Sequence, residues 1–362
     1  MQRNIKRRRD TLAVVIGFVV VVLTGCDRQP ISGAQTDNRI RPAAKDECQQ
    51  IVHDGGETTI CGKPQRVVTV GPHLLEFLLA LKVQPVGHAE YFQFVKPVFD
   101  HPSQQIPYLG QWLTSQPRNV GTSQEPSLEA IAELKPDLIL GDSLKNRDEY
   151  ARLSQIAPTL LFTYHGSDPA WQSDLQTVAQ ALRRTDVATT VLANFREQYT
   201  KLQQAIAPQV TQYPRVLLLL SQRLDQEIYL ETRHSACGNL LEELGFEVVV
   251  PDALKQASAP SYTLSLEVLP ELDADLIVIA GFNSTVNAND QNPLESQLRD
   301  VRYQWQQNPI SQSMSASQQG RVYFTTAYLC HALLGPIGTE IFLKQLYQQL
   351  TQAATTVSSR EH

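Results

Sequence analysis

Apolar positions follow two rhythms along this chain. Arg66-Val67-Val68-Thr69-Val70 is a short, nearly continuous apolar run that stops at Gly71-Pro72, as expected of a strand buried on both faces. Leu74, Leu75, Leu78, Leu79 and Leu81 then recur at helical spacing, and Val83 to Val86 opens another strand. Further on, Leu128 to Leu134 is helical, and Asp137-Leu138-Ile139-Leu140-Gly141 returns to the buried-strand rhythm. Strands alternating with helices predict a mainly parallel sheet covered on both faces.

The same order recurs in the second half. Arg215 to Leu220 is a buried strand ending at Ser221, and Leu240 to Gly245 is a helix leading into Val248-Val249-Val250. Leu128-Glu129-x-x-x-Glu133-Leu134-x-x-Asp137-Leu138-Ile139 matches Leu266-Glu267-x-x-x-Glu271-Leu272-x-x-Asp275-Leu276-Ile277 at seven of twelve positions. The fold class expected is therefore α/β, with two similar lobes built to one plan. Between them, Val187, Val191, Leu192, Phe195, Tyr199, Leu202 and Ile206 trace one helix from Thr185-Asp186 to a stop at Pro208. Its length, about 30 Å at 1.5 Å per residue, makes it a rigid bridge that allows only a small opening motion.

The N-terminus changes the picture by adding export. A basic Arg3 and Lys6-Arg7-Arg8-Arg9 precede an apolar stretch from Leu12 to Leu23, too short to span a bilayer but suited to a signal peptide. Leu23-Thr24-Gly25-Cys26 resembles a bacterial lipobox, in which Cys26 becomes the acylated first residue. Residues 27–46 are polar, contain Pro30 and Pro42, and read as a flexible tether. The resulting division is 1–25 signal peptide, 26–46 tether, 47–167 N-terminal lobe, 168–210 bridging helical region, 211–350 C-terminal lobe and 351–362 tail. Without residues 1–25 the chain carries 26 Lys+Arg against 36 Asp+Glu, a net charge of −10. That balance excludes nucleic acid as a partner and means that an anionic ligand needs a local cluster of cations.

Export also permits disulfides. Asp54-Gly55 is a hairpin turn signal, and pairing across it sets Cys48 opposite Cys61, about 4.5 Å apart at Cα and within disulfide reach. Cys237 and Cys330 have no such local argument and stay open between a pair and two small buried hydrophobes.

Ordered along residues 47–350, several segments carry a resemblance to a known family. They include His53-x-x-Gly56-Glu57-Thr58, Leu81-x-Val83-x-Pro85-Val86-Gly87, Pro126-Ser127-Leu128-Glu129 through Lys135-Pro136-Asp137, Leu240 to Gly245, Asn308-Pro309 and Gly320-Arg321-Val322-Tyr323. The chain resembles the iron-chelate substrate-binding lipoproteins of ABC importers, the ferric citrate and ferric siderophore group. The resemblance implies two lobes joined by one helix, a ligand cleft between them, no enzymatic activity and no cofactor. It also implies a membrane permease with its ATPase as partners, a monomeric state, and a lipid-anchored site outside the cytoplasm. Where many relatives carry a tryptophan after the last strand, this chain has Tyr328-Leu329-Cys330-His331.

Ligands of open α/β sheets sit beyond the carboxyl ends of the strands. The segments there are Gly71-Pro72-His73, His88 to Phe92, Asp142 to Arg147, Ser221-Gln222-Arg223, Gly281-Phe282-Asn283 and Thr326-Ala327-Tyr328. Guanidinium forks suit chelate oxygens and aromatic rings cover an apolar rim, so Arg147, Arg223, Arg233, Tyr91, Tyr328 and Trp112 are the candidate ligand contacts. Glu76, with Glu242 or Glu243 in the second lobe, matches the helix positions where relatives present a carboxylate to the permease. A rival ligand is bare Zn²⁺ or Mn²⁺ held by His73, His88, His165 and His331 with a carboxylate. Haem and cobalamin are further alternatives. The chain lacks G-x-S-x-G, H-E-x-x-H and Walker motifs, so no motif points to an enzyme.

Overall fold

A computed structural model describes residues 47–91, 98–163, 170–272, 274–282, 293–333 and 335–358. The signal peptide, Cys26 and the tether lie outside the described residues, as do Phe92, His165 and Asn283.

An antiparallel hairpin, β1 (Cys48–His53) and β2 (Gly56–Cys61), opens the described chain. Its register pairs Cys48 with Cys61 and His53 with Gly56, as the turn requires, and the two cysteines are bonded at a Cα separation of 3.9 Å. The first lobe continues through β3 (Val67–Val70), α1 (Pro72–Ala80), β4 (Gly87–Glu90), α2 (Pro102–Gln105), a 3-10 turn at Leu109–Trp112, β5 (Arg118–Thr122), α3 (Leu128–Glu133), β6 (Leu138–Asp142), α4 (Tyr150–Ile156) and β7 (Thr159–Phe162). Its five strands lie in the order β5-β4-β3-β6-β7, all parallel. The hairpin docks on the edge strand β7, where the Asp54 N–H donates to the Leu161 carbonyl at 3.0 Å and the Leu161 N–H donates to His53 Nδ1 at 3.0 Å.

Helices α5 (Ala170–Ala181) and α6 (Thr185–Gln212) lead to the second lobe. There follow β8 (Arg215–Arg223), β9 (Glu227–Glu231), α7 (Ala236–Glu243), β10 (Glu247–Val248), β11 (Ser261–Leu264), a 3-10 turn at Leu266–Glu271, β12 (Leu276–Gly281), α8 (Pro293–Gln307), α9 (Pro309–Ser313), α10 (Ser315–Gln318), β13 (Val322–Thr326), α11 (Ala327–His331) and α12 (Pro336–Ser358). Here the sheet is mixed: β10, β8, β12 and β13 run parallel, while β9 and β11 form an antiparallel edge. The expected strand end at Ser221 is thus the middle of a hairpin. Burial alternates along β9, exposing Glu227 and burying Ile228 and Leu230, which is a weaker pattern than an all-apolar strand.

The internal repeat has a structural counterpart. The Asp137 carboxylate accepts the N–H groups of Gln65 and Arg66 at 2.7 and 2.8 Å, bracing the entry to β3. Asp275 does the same for β8, accepting the Arg215 N–H at 2.9 Å. The preceding segment is α-helical in the first lobe and 3-10 in the second, where Pro270 has no N–H to give to an α-helical bond.

The bridging helix differs from its expected end. It passes through Pro208 to Gln212, so its 28 residues span about 42 Å. Pro208 deprives the Gln204 carbonyl of its partner, but Gln204 is exposed and water can serve it. One hydrophobic cluster spans both lobes, joining Leu75, Leu79, Ile106 and Leu109 to Ile206, Val216, Leu218, Phe342 and Leu346. Accordingly the described residues form a single compact unit. Among the described residues no helix is long and apolar enough to cross a membrane.

If the two repeat aspartates do equivalent work, Asp137→Ala and Asp275→Ala should each lower unfolding free energy by about 1 kcal/mol, since strand-entry N–H groups lose a charged acceptor. Urea titration of the two variants checks this, and equal m-values would show that the loss is local.

Candidate functional site

The carboxyl ends of β3, β4, β6 and β13 converge where the lobes meet. Gly71, at φ 138°, makes the turn from β3 into α1 with a backbone that side-chain-bearing residues rarely adopt. This turn delivers His73 into the interior, where burial pushes its pKa down to about 4 and keeps the ring neutral. From β4 come His88, Glu90 and Tyr91, and from β13 and α11 come Thr326, Tyr328 and His331.

These groups form a chain of hydrogen bonds across the interface. Thr69 Oγ1 lies 2.9 Å from His88 Nδ1, and His88 Nε2 lies 3.2 Å from Glu90 Oε2. Glu90 Oε1 accepts the Tyr91 N–H at 2.7 Å. The Tyr328 hydroxyl, from the other lobe, donates to the Glu90 carboxylate at 2.9 and 3.0 Å. Two more tyrosines cross the gap: the Tyr91 hydroxyl donates to the His331 carbonyl at 3.0 Å, and the Tyr108 hydroxyl lies 2.9 Å from Thr326 Oγ1. Burial, reinforced by Glu90, holds the Tyr328 phenol well above its ordinary pKa, so it stays a donor.

Tyr91 and Tyr328, from opposite lobes, are brought together, with ring centroids 6.0 Å apart. Lys145 caps this face, with its Nζ 4.7 Å from the centre of the Tyr91 ring and 2.9 Å from Asp142. The arginines are dispersed. Arg223 ends β8 and forks onto Asp225 at 2.7 and 3.0 Å, beside a cavity of about 210 Å³ shared with Gln222, Gln226, Glu227 and Phe282. Arg233 pairs with Glu242 at 3.0 Å, and Arg147 is exposed in the turn after β6. Trp112 is 39% exposed at the end of the 3-10 turn.

Two expectations about the carboxylates need correction. Glu76 does not point outward. It is fully buried in α1, whose residues 72–79 are all buried, and its carboxylate accepts the N–H groups of Gly335, Ile337 and Gly338 at 2.9, 2.8 and 2.7 Å. Those are the first donors of α12, so the charge of Glu76 meets the positive end of that helix dipole. A Cβ on Gly335 would lie 2.7 Å from the Glu76 carboxyl carbon, which is why only glycine fits. Glu242 and Glu243, expected early in their helix, lie at its end because α7 starts at Ala236 under the Ser235 cap. There Glu243 accepts from Asn239 at 3.0 Å and from the Tyr199 hydroxyl at 3.4 Å. Sequence reasoning missed the Glu76 contact, although a carboxylate set among Leu74, Leu75, Phe77, Leu78 and Leu79 and the Gly335-Pro336-Ile337-Gly338 helix start were both legible.

Among the described residues, His73, His88 and His331 do not gather into a metal site. His88 is engaged by Thr69 and Glu90, while His331 lies 3.4 Å from Glu231. Among the described residues no group of three or more His, Cys, Asp or Glu is placed to hold a metal ion. Cys237 and Cys330 are bonded at a Cα separation of 5.2 Å, fastening α11, which carries Tyr328, to α7.

Residues 67–329 match the family model described as periplasmic binding protein. The chain belongs to that family. Among curated relatives, this binding protein is 27% identical over 322 residues to the probable siderophore-binding lipoprotein YfiY of Bacillus subtilis, covering 88% of this chain and 90% of that one. It is 29% identical over 281 residues to the Fe(3+) dicitrate-binding periplasmic protein FecB of Escherichia coli, covering 75% of this chain and 80% of that one. Among solved structures it is similar to Staphylococcus aureus SirA complexed with staphyloferrin B, with a TM-score of 0.65 and 24% identity, covering 84% of this chain and 98% of that one. The likeness to SirA establishes that the binding protein has the same two-lobed fold.

Burial of Glu76 in this binding protein pushes its pKa up to about 7 against the pull of three N–H donors. The folded state therefore holds this proton more tightly than the unfolded chain, whose carboxyl titrates near 4.5. Its contribution to stability should be complete below pH 4.5 and lost as pH rises to 7, a fall of a few kcal/mol. Unfolding free energies of the wild type and Glu76→Gln across that window test this, with the slope expected to flatten in the variant.

Proposed function

We propose that this chain is the capture subunit of an ABC importer for ferric iron, taking it up as a siderophore or citrate chelate between residues 47–167 and 211–350. The observation that carries the reading is the meeting of Tyr91, Tyr108 and Tyr328 across the strand ends of a two-lobed, helix-bridged fold, whose curated relatives are named for siderophore and ferric dicitrate binding. Phenol hydroxyls donate hydrogen bonds, and chelate oxygens accept them. In this reading the protein binds and releases its ligand without chemical conversion.

The same reading places the protein outside the cytoplasm as a monomer, anchored through acylated Cys26, and delivers the ligand to a membrane permease driven by its ATPase. In this reading the exposed Arg147, Arg223, Arg233 and Trp112 are further candidate contacts, although the arginines are dispersed and Trp112 packs beside Gln84, ahead of β4. Glu76 is enclosed, so docking on the permease falls to the exposed Glu243 with Glu242 beside it.

Binding should quench the fluorescence of the three tryptophans, Trp112, Trp171 and Trp305. A ferric chelate should bind more tightly than micromolar, about −8 kcal/mol or better. A response to Zn²⁺, haem or cobalamin with none to any ferric chelate would overturn the reading.

A further inference from the structure

A second cavity, of about 400 Å³, opens beside the tyrosine cluster and draws its walls from both lobes. On one side are α2 and the 3-10 turn, with Ser103, Gln104, Gln105 and Gln111. On the other are Glu295 of α8, Thr326 at the end of β13 and Gln345 of α12. The volume lies at the low end of the range of about 300–1,000 Å³ for small-molecule sites, enough for a portion of a chelate rather than all of it.

The chemistry of the lining is one-sided. Four glutamine amides, Ser103, Thr326 and the Tyr108 hydroxyl both donate and accept hydrogen bonds without charge. Glu295 is the one ionisable carboxylate among the described lining residues, and none of them is Lys, Arg or His. Tyr108 sits at φ 56°, a backbone conformation that residues other than glycine rarely adopt. Its hydroxyl lies 2.9 Å from Thr326 Oγ1, at the cavity wall. Such a lining satisfies amide and hydroxamate groups better than carboxylates or catecholates, because none of the described lining residues carries a positive charge to offset a negative one and Glu295 adds another negative charge.

We propose that this cavity receives an uncharged, amide-like arm of the ligand, so that the preferred cargo is a ferric chelate without net negative charge. The inference rests on the ferric-chelate reading above and names the class of chelate. The test compares ferrichrome, a neutral ferric trihydroxamate, with ferric enterobactin and ferric citrate, both anionic. Affinities come from fluorescence quenching of the full chain in detergent. Ferrichrome should bind at least tenfold more tightly than either anionic chelate. Ser103→Trp, which fills the cavity, should weaken ferrichrome at least tenfold. Gln345→Leu, which keeps the volume and removes the amide, guards against misfolding of the first variant and should weaken ferrichrome about fivefold. Glu295→Lys should narrow the gap between neutral and anionic chelates. Tighter binding of an anionic chelate, or ferrichrome affinity unmoved by both Ser103→Trp and Gln345→Leu, overturns the inference and leaves the ferric-chelate reading standing. No response to any of the three overturns that reading itself.

Discussion

A carboxylate taken out of water must find donors or take up a proton, and this requirement governs how the two lobes meet. Glu76 and Glu90 are both fully buried, and neither finds all its donors within its own lobe. Glu76 is served by the start of α12, and Glu90 by His88 and Tyr91 on its own strand together with Tyr328 from the opposite lobe. Separating the lobes would strip both groups of partners unless water replaced them. The closed arrangement is thus held by polar groups that are costly to leave unsatisfied, on top of an apolar cluster that already runs through both lobes.

This polar arrangement explains the details around it. Gly335 leaves room for the Glu76 carboxylate, and Pro336 starts α12 without wasting an N–H, since the first helical donors have no partner inside the helix anyway. The Cys237–Cys330 bond holds α11 against α7, fixing the short helix that presents Tyr328 to Glu90. Glu231 and Asp142 add further buried carboxylates at the same face, so the interface is acidic, and Lys145 is drawn onto Asp142 in consequence.

How much of this was legible depended on whether the signal was local. The hairpin register followed from one turn and the two-residue period of a strand, so Cys48 and Cys61 could be paired from numbering alone. The repeat announced itself because Asp137 and Asp275 do the same job, catching the backbone at the entry of an adjacent strand. Pro208 misled because a helix stop is a local preference, and an exposed carbonyl can tolerate the missing donor. The β8–β9 hairpin was hidden because Glu227 to Glu231 is half polar, as an antiparallel edge strand must be. Glu76 was misplaced for a different reason. Its partners lie about 260 residues away, and sequence spacing carries no information about which helix start a buried carboxylate will meet.

The closed face also sets what any incoming ligand must do. A ligand at the strand ends has to take over the hydroxyl donors now used by Glu90, the His331 carbonyl and Thr326, each bond being worth about 0.5–1.5 kcal/mol net. Chelate oxygens can accept those same hydroxyls, so the exchange is close to even for the tyrosines. Glu90 is the exception. Once Tyr328 turns to a ligand, its carboxylate keeps only His88 and the Tyr91 N–H among the described residues. The ligand's charge enters here: an anion beside Glu90 adds repulsion to lost hydrogen bonding, whereas a neutral oxygen surface costs only the exchange. A face built from phenols, amides and buried acids therefore discriminates first by charge and only then by shape.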